Sequence, residues 1–279
     1  MNSDLTNGNP STSEFSEVDK SKDTQFFIDY LDMVRSQIGV RKGKELSFSL
    51  LALKPGDSVL DVGCGTGDDV ISLAKIVGEE GRAIGLDNSE VMITEAKKRA
   101  AKSNARNVEF NLGSVYQIDF PDETFDGVIA DRVFMHLEES SRALREMIRV
   151  AKKGNGRIVT HDPDWDSLVI DSEFKDVTRK ITRTMADGFK NGKAGGKAYG
   201  MLKEAGLTDV TVSCDAPVFT DYNWTFQHLE LEKASKATLG KALISEEEQA
   251  KWIADIQRRG EDGRFFASFM TFWVAGTKP

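Results

Sequence analysis

Residues 59–69 read VLDVGCGTGDD. A short apolar run broken only by Asp61 meets glycines at every second position, Gly63, Gly65 and Gly67, and then DDVISLAKIVG with apolar residues at helical spacing. Short apolar runs bounded by turn residues read as buried strands, and an i, i+3, i+4 pattern reads as a helix. The stretch is therefore a strand, a glycine-rich loop and a helix. Glycines let a backbone turn tightly and approach a ligand closely. Dinucleotide-binding domains use the same mechanism, so a G-x-G element leaves the ligand open. Three details narrow it: the loop is GCGTG rather than G-x-G-x-x-G, Asp61 stands two positions before the first glycine, and a second acid, Asp87, ends the next strand in GLDNS.

The alternation continues outward. RAIGLD is strand-like, and SEVMITEAKKRAAKS is a helix with Ser89 as its N-cap and acids and bases at its proper ends. NVEFNLGS and FDGVIADRV are strands, SSRALREMIRVAKKG is a helix ending at Gly154, and GRIVTHD is a fifth strand ended by Pro163. Repeating βαβ units with short apolar strands predict a parallel sheet with helices on both faces. The regularity breaks after Asp162. Upstream, FFIDYLDMVRSQI carries Phe26, Phe27, Tyr30, Leu31 and Val34 at helical spacing, and a second helix is expected from about Gly43 to Leu51. FKNGKAGGKAYG, residues 189–200, reads as an exposed loop or an anion-binding one, and FFASFMTFWVAGTKP is a closing apolar strand.

Composition sets the class. With 279 residues, 39% hydrophobic and 29% charged, the chain suits a soluble globular protein of one large α/β domain or of one domain with insertions. A net charge of -8 offers no basic surface to a nucleic acid. Cys64 and Cys214 stand far apart with no CxxC, so neither a disulfide framework nor a zinc site is expected, and no metal is called for. No apolar run reaches the roughly 20 residues that span a bilayer, and residues 1–23 lack the apolar core of a leader peptide. They read as a disordered arm, and the expected address is the cytoplasm.

At VLDVGCGTG, GLDNSEVMITEAKKRA, GSVYQIDFPDETFDGVIADRVFMHL and EMIRVAKKGNGRIV the chain resembles the class I S-adenosylmethionine-dependent methyltransferases, in the branch similar to ubiquinone/menaquinone-biosynthesis enzymes. The resemblance runs from residue 54 to about 162. It implies a Rossmann-like, mostly parallel seven-stranded sheet with an antiparallel last strand. It also implies N-terminal helices over 24–53 acting as a lid, and helical cap insertions at about 164–195 and 221–262 of a core spanning 54–279. The implied cofactor is S-adenosylmethionine, its amino-acid part cradled by the loop from Gly63 to Gly67 with Asp61 and Cys64. Asp87 and Asn88 would face the ribose, Met92 the adenine, and Asp131 and Arg132 the amino-acid end. A carboxylate at a strand end suits two hydroxyls and would repel a 2′-phosphate. Where the family usually reads G-D-A, this chain has Gly113-Ser114-Val115, so the adenine amino group would meet an uncharged hydroxyl.

Ligands of open parallel sheets bind at the carboxyl ends of the strands, so residues just after strands are the candidates for chemistry. The three histidines, His136, His161 and His228, all fall near that edge, and imidazole suits proton transfer near neutral pH. His136 reads either as packing at a helix start or as a group facing the acceptor. His161 adjoins Asp162, which is expected to orient its ring. His228 has the weakest claim. Tyr30, His161, Asp162, Trp165, Phe189 and Tyr222 are the candidate acceptor-pocket residues. The expected activity is methyl transfer to a small, partly apolar acceptor with no nucleic-acid or membrane partner, and the N-terminal helix could pack against a second copy. Two other readings stay open: a nucleic-acid methyltransferase, opposed by the acidic balance, and a non-catalytic cofactor-binding protein.

Overall fold

A strand that is apolar on both faces must be covered on both, and the strands at the centre of this chain are. The computed structural model describes residues 10–279. In chain order it contains a 3-10 helix (Thr12–Lys20), α1 (Gln25–Ser36), α2 (Ile38–Leu51), β1 (Ser58–Val62), α3 (Asp68–Val77), β2 (Arg82–Asp87), α4 (Glu90–Ser103), β3 (Val108–Leu112), β4 (Gly127–Asp131), α5 (Ser140–Val150) and β5 (Arg157–Ile170). Then follow α6 (Lys175–Ala186), α7 (Ala194–Glu204), β6 (Thr208–Asp215), β7 (Val218–Phe219), α8 (Tyr222–His228), α9 (Leu231–Gly240), α10 (Glu246–Glu261) and β8 (Ala267–Thr277). The sheet order is β3-β2-β1-β4-β5-β8-β6, with β1 to β5 parallel. β8 runs antiparallel to both its neighbours, and two-residue β7 pairs with it as an eighth strand. Successive side chains of a strand point to opposite faces. Leu60, Val128 and Ile158 accordingly pack in one core with Leu144 and Met147 of α5. Val59, Ile129 and Val159 pack in the other with Val70 and Leu73 of α3.

Four local expectations are corrected. First, the arm over residues 1–23 is structured from Pro10 on, while residues 1–9 lie outside the described residues. Ser11 caps the 3-10 helix, Val18 is buried, and both ends are tied down. Ser11 Oγ and Thr12 Oγ1 each donate to Glu230 at 2.9 Å, and Asp19 accepts from the Glu90 N–H at 2.7 Å. Second, α2 begins at Ile38 rather than near Gly43, because Gln37 alone is extended and breaks the helical run. Third, Pro163 does not end β5, which continues to Ile170 against β8. The backbone groups of His161 and Trp165 point away from β8, to the Arg132 N–H and the Gly192 carbonyl. Pro163 shares their orientation, and β4 has already ended there, so its missing N–H removes no ladder bond. Fourth, residues 194–200 are the first turns of α7, not a loop.

The insertion between β7 and β8 packs α10 onto α6 through Trp252, which is fully buried and donates from Nε1 to Thr178 Oγ1 at 2.9 Å. Trp252→Ala is expected to cost about 3–5 kcal/mol, the usual range for removing a buried tryptophan. Urea denaturation measures it, and a loss below about 1 kcal/mol would contradict this packing.

Candidate active site

The order of strands reverses between β1 and β4, and at such a switch point the loops leave the sheet in opposite directions and open a crevice. A cavity of about 400 Å³ lies there. Gly63 and Gly65 from the loop after β1, Asp87 and Asn88 at the end of β2, Asp131 and Arg132 at the end of β4, and His161 of β5 line it. The far wall is aromatic, built from Phe15, Trp165, Phe219, Trp224 and Phe269.

The glycine loop has the backbone its sequence demands. Gly63 and Gly65 have φ of +73° and +50°, where side chains are strained. A Cβ on Gly63 would lie 2.6 Å from a Val133 methyl, and one on Gly65 would lie 3.1 Å from Leu31. Asp87 closes the loop from the next strand: its carboxylate accepts from the Gly65 N–H at 2.8 Å and the Ser89 N–H at 2.9 Å. Burial pushes its pKa above the usual carboxylate value despite these amides. Met92 is buried at the same end.

Asp131 is the electrostatic centre. The register pairs it with His161 across β4 and β5, and pairs His161 with Trp273 across β5 and β8, so all three side chains share one sheet face. His161 Nδ1 meets Asp131 Oδ2 at 3.0 Å, and its Nε2 meets Thr271 Oγ1 at 2.7 Å. Trp273 stacks flat on the imidazole, with centroids 4.1 Å apart and planes within 6°. Helix α2 covers this face. Lys44 Nζ bridges Asp69 and Asp131, the latter at 2.8 Å, and Ser47 Oγ donates to Asp131 while accepting from Trp273 Nε1. A Cβ on Gly43 would lie 2.8 Å from the indole, so only glycine leaves room for the stack. Arg132 adds a second cation at 3.2 Å and holds a strained φ of +60°. Burial would raise the Asp131 pKa, but Lys44, His161 and Arg132 outweigh it and hold the carboxyl well below the usual range. Asp61 lies buried behind this group, pushed well up by burial and by Asp69.

Several expected site residues lie elsewhere. Asp162 does not orient His161, because adjacent residues of a strand face opposite ways. Its Oδ1 accepts from the Met135 N–H at 3.0 Å, its Oδ2 has no partner among the described residues, and burial pushes its pKa well up. The Cys64 side chain is buried in the core beside Gly85, and Asp61 and Gly67 also stand behind the cavity wall. Gly113, Ser114 and Val115 follow β3 outside the lining, where Ser114 Oγ accepts from the Tyr116 N–H. Phe189 stacks behind Trp165 at 5.1 Å, and Tyr222 packs on Phe226 and Phe265. Tyr30 and Trp165 do line the cavity, and burial raises the Tyr30 phenol to about 12. His228 also lines it, stacked on Trp224. Lys44, Thr271 and Trp273 went unread in the sequence. Lys44 fell within the expected helix from about Gly43 to Leu51, and the other two belonged to a closing apolar strand.

His136 lies in the wall between Phe15 and Phe189, with Nδ1 unpartnered among the described residues. Burial lowers its pKa from 6.5 to about 4. The folded value lies below the unfolded one, so the native state resists protonation. Stability is untouched above about pH 6.5 and falls as the pH drops toward about 4, by on the order of 3 kcal/mol. His136→Gln should flatten that part of the stability–pH curve in urea melts between pH 7 and 4. An unchanged slope would show that His136 is not held neutral.

A sheet of this order, with a glycine loop after its first strand and an acid closing its second, defines the Rossmann-like class I methyltransferase architecture. The family model described as a methyltransferase domain matches residues 53–206, and the chain belongs to this S-adenosylmethionine-dependent methyltransferase family. An uncharacterized 37.1 kDa protein of transposon TN4556 from Streptomyces fradiae is 33% identical over 248 residues, covering 88% of this chain and 70% of that one. The demethylmenaquinone methyltransferase of Bacillus cereus is 34% identical over 144 residues. That match covers 50% of this chain and spans only 60% of the enzyme's length. Among solved structures, the YcgJ protein of Bacillus subtilis superposes with a TM-score of 0.61 at 18% identity, covering 85% of this chain and 98% of its own, a likeness of fold. Among the described residues no helix is long and apolar enough to cross a membrane.

Proposed function

We propose that the chain transfers a methyl group from S-adenosylmethionine to a small, partly apolar acceptor, in the cytoplasm. The observation that carries this reading is the single cavity that joins the glycine loop and Asp87 at one end to the aromatic wall at the other. The residues fit the cofactor. Gly63 and Gly65 leave the space that an amino-acid moiety needs, and Asp87 is a half-buried carboxylate with lone pairs to spare for two vicinal hydroxyls. Met92 offers an apolar surface to a base, and Asp131 and Arg132, which line the same cavity, carry the charges to meet an ammonium and a carboxylate. When bound, S-adenosylmethionine supplies a methyl already activated by the sulfonium, so the protein's task is mainly to align the acceptor and exclude water.

The acceptor end is closed by the N-terminal 3-10 helix, α1 and the insertion around α8. Such a concave, mainly apolar chamber suits a flat metabolite better than a polymer. Quinone-like, aromatic and isoprenoid molecules all meet that requirement, and the demethylmenaquinone substrate in the name of the Bacillus relative is in keeping with it. His161, oriented by Asp131, is the proton acceptor where the methylated atom carries a proton. Lys44 keeps Asp131 ionised for that role.

Titration calorimetry should show one bound S-adenosylmethionine. Asp87→Ala should weaken it at least about tenfold, the worth of one hydrogen-bonded charged group. Gly65→Val should abolish it. A panel of small aromatic and quinol acceptors should yield S-adenosylhomocysteine. Unchanged affinity in both variants, or turnover with RNA or DNA only, would sink the reading.

A further inference from the structure

Thr271 stands between the cavity and the imidazole. It lines the cavity, is buried, and places Oγ1 2.7 Å from His161 Nε2. The other ring nitrogen faces Asp131, whose carboxylate also receives Lys44, Arg132 and Ser47. A carboxylate so surrounded only accepts hydrogen bonds, so the neutral imidazole carries its proton on Nδ1. Nε2 is then a lone pair, and the Thr271 hydroxyl must donate to it. With its proton committed to His161, the Thr271 oxygen keeps lone pairs for a donor in the cavity. An acceptor group can therefore reach Nε2 through Thr271.

We infer that Thr271 is a catalytic residue that relays the acceptor's proton to His161. The inference rests on the methyl-transfer reading above. In the step, the acceptor X–H bond breaks and its proton joins Thr271 Oγ1, while the original Thr271 proton passes to His161 Nε2. The threonine ends as a hydroxyl, and the imidazole becomes an imidazolium. The electron pair left on X forms the bond to the methyl carbon, and the sulfur keeps the pair of the broken S–C bond as a neutral thioether. The imidazolium lies against the Asp131 carboxylate and flat on the Trp273 indole, and both favour a cation there. The geometry selects acceptors that carry a removable proton, such as a hydroxyl or a protonated nitrogen. A site for a tertiary amine or a bare alkene would have no use for a hydroxyl held in this orientation.

Thr271→Val is the decisive variant, because it keeps the β-branched shape that a strand favours and removes only the hydroxyl. Thr271→Ser restores the hydroxyl. The first readout needs no acceptor: nitrogen-15 NMR of the full-length protein's histidines. The wild type should show His161 protonated at Nδ1, with Nε2 an acceptor. In Thr271→Val the Nε2 resonance should move to the position of an unbonded ring nitrogen, and Thr271→Ser should match the wild type. A proton on Nε2 in the wild type, or no Nε2 change in Thr271→Val, overturns the relay. The second readout is methyl transfer to whichever panel acceptor turns over. Thr271→Val should lose about 100-fold or more in kcat, as for other proton-transfer groups, with KM and cofactor affinity near wild type. Thr271→Ser should recover most of it. Wild-type kcat in Thr271→Val, or a Thr271→Ser variant equally impaired, refutes the relay. If the wild type binds cofactor but methylates no acceptor, the functional reading falls, and the tautomer and Nε2 shift still decide the resting arrangement.

Discussion

An ionised carboxylate removed from water must be matched by charge and hydrogen bonds, because an uncompensated one costs several kcal/mol. Asp131 stands under that constraint at the buried end of β4, and much of the surrounding structure answers it. Lys44 comes from α2, Arg132 from the strained turn after the strand, His161 from β5 and Ser47 from one helical turn beyond Lys44. The same contacts dock α2 on the sheet, fix the ring of His161 and leave one face of Trp273 to hold it flat. Removing any cation from this group would strand charge among apolar walls. The network therefore serves stability and site geometry together.

A second constraint acts at the cavity's mouth. The 3-10 helix has little apolar surface of its own to bury, and its position is set by polar anchors at both ends. Glu230, itself in a left-handed conformation, receives Ser11 and Thr12. Asp19 caps the exposed amides at the start of α4, beside Ser89 and Asp87. Carboxylates at a helix N-terminus are favoured by its dipole and its free N–H groups. The helix thus ties the insertion around α8 and α9 to the Asp87 end of the cavity and carries Phe15 and Val18 into its wall.

Most of the core fold was legible in the residues. The strand–glycine–helix element at Val59–Asp69, the Ser89 cap and the period of the helices fixed the parallel half, since each depends on neighbours in the chain. The glycine loop and Asp87 were legible for the same reason: a turn with positive φ and an acid at a strand end are local signals. The arm was misread because a polar, Ser- and Asp-rich segment carries no apolar pattern, and its order comes from partners 70 and 219 residues away. The extension of β5 was hidden by Pro163, whose meaning changes once only one neighbouring strand is present.

By itself, the sequence determined the strands and helices of the parallel half and the position of the glycine loop, which are set by local backbone geometry and short-range spacing, while its resemblance to a known family implied the class of cofactor. Only the tertiary structure decided which side chains meet. His161 and Asp162 are adjacent in the chain, yet the alternation of a strand sends one to Asp131 and the other to the Met135 amide. Thr271 is 110 residues from His161 and Lys44 is 87 residues from Asp131, and each pair is joined by strand register or helix docking. Burial then turned an ordinary lysine and an unremarked threonine into parts of one hydrogen-bonded chain, because a polar group in a low-dielectric wall is costly without a partner and strengthened by one.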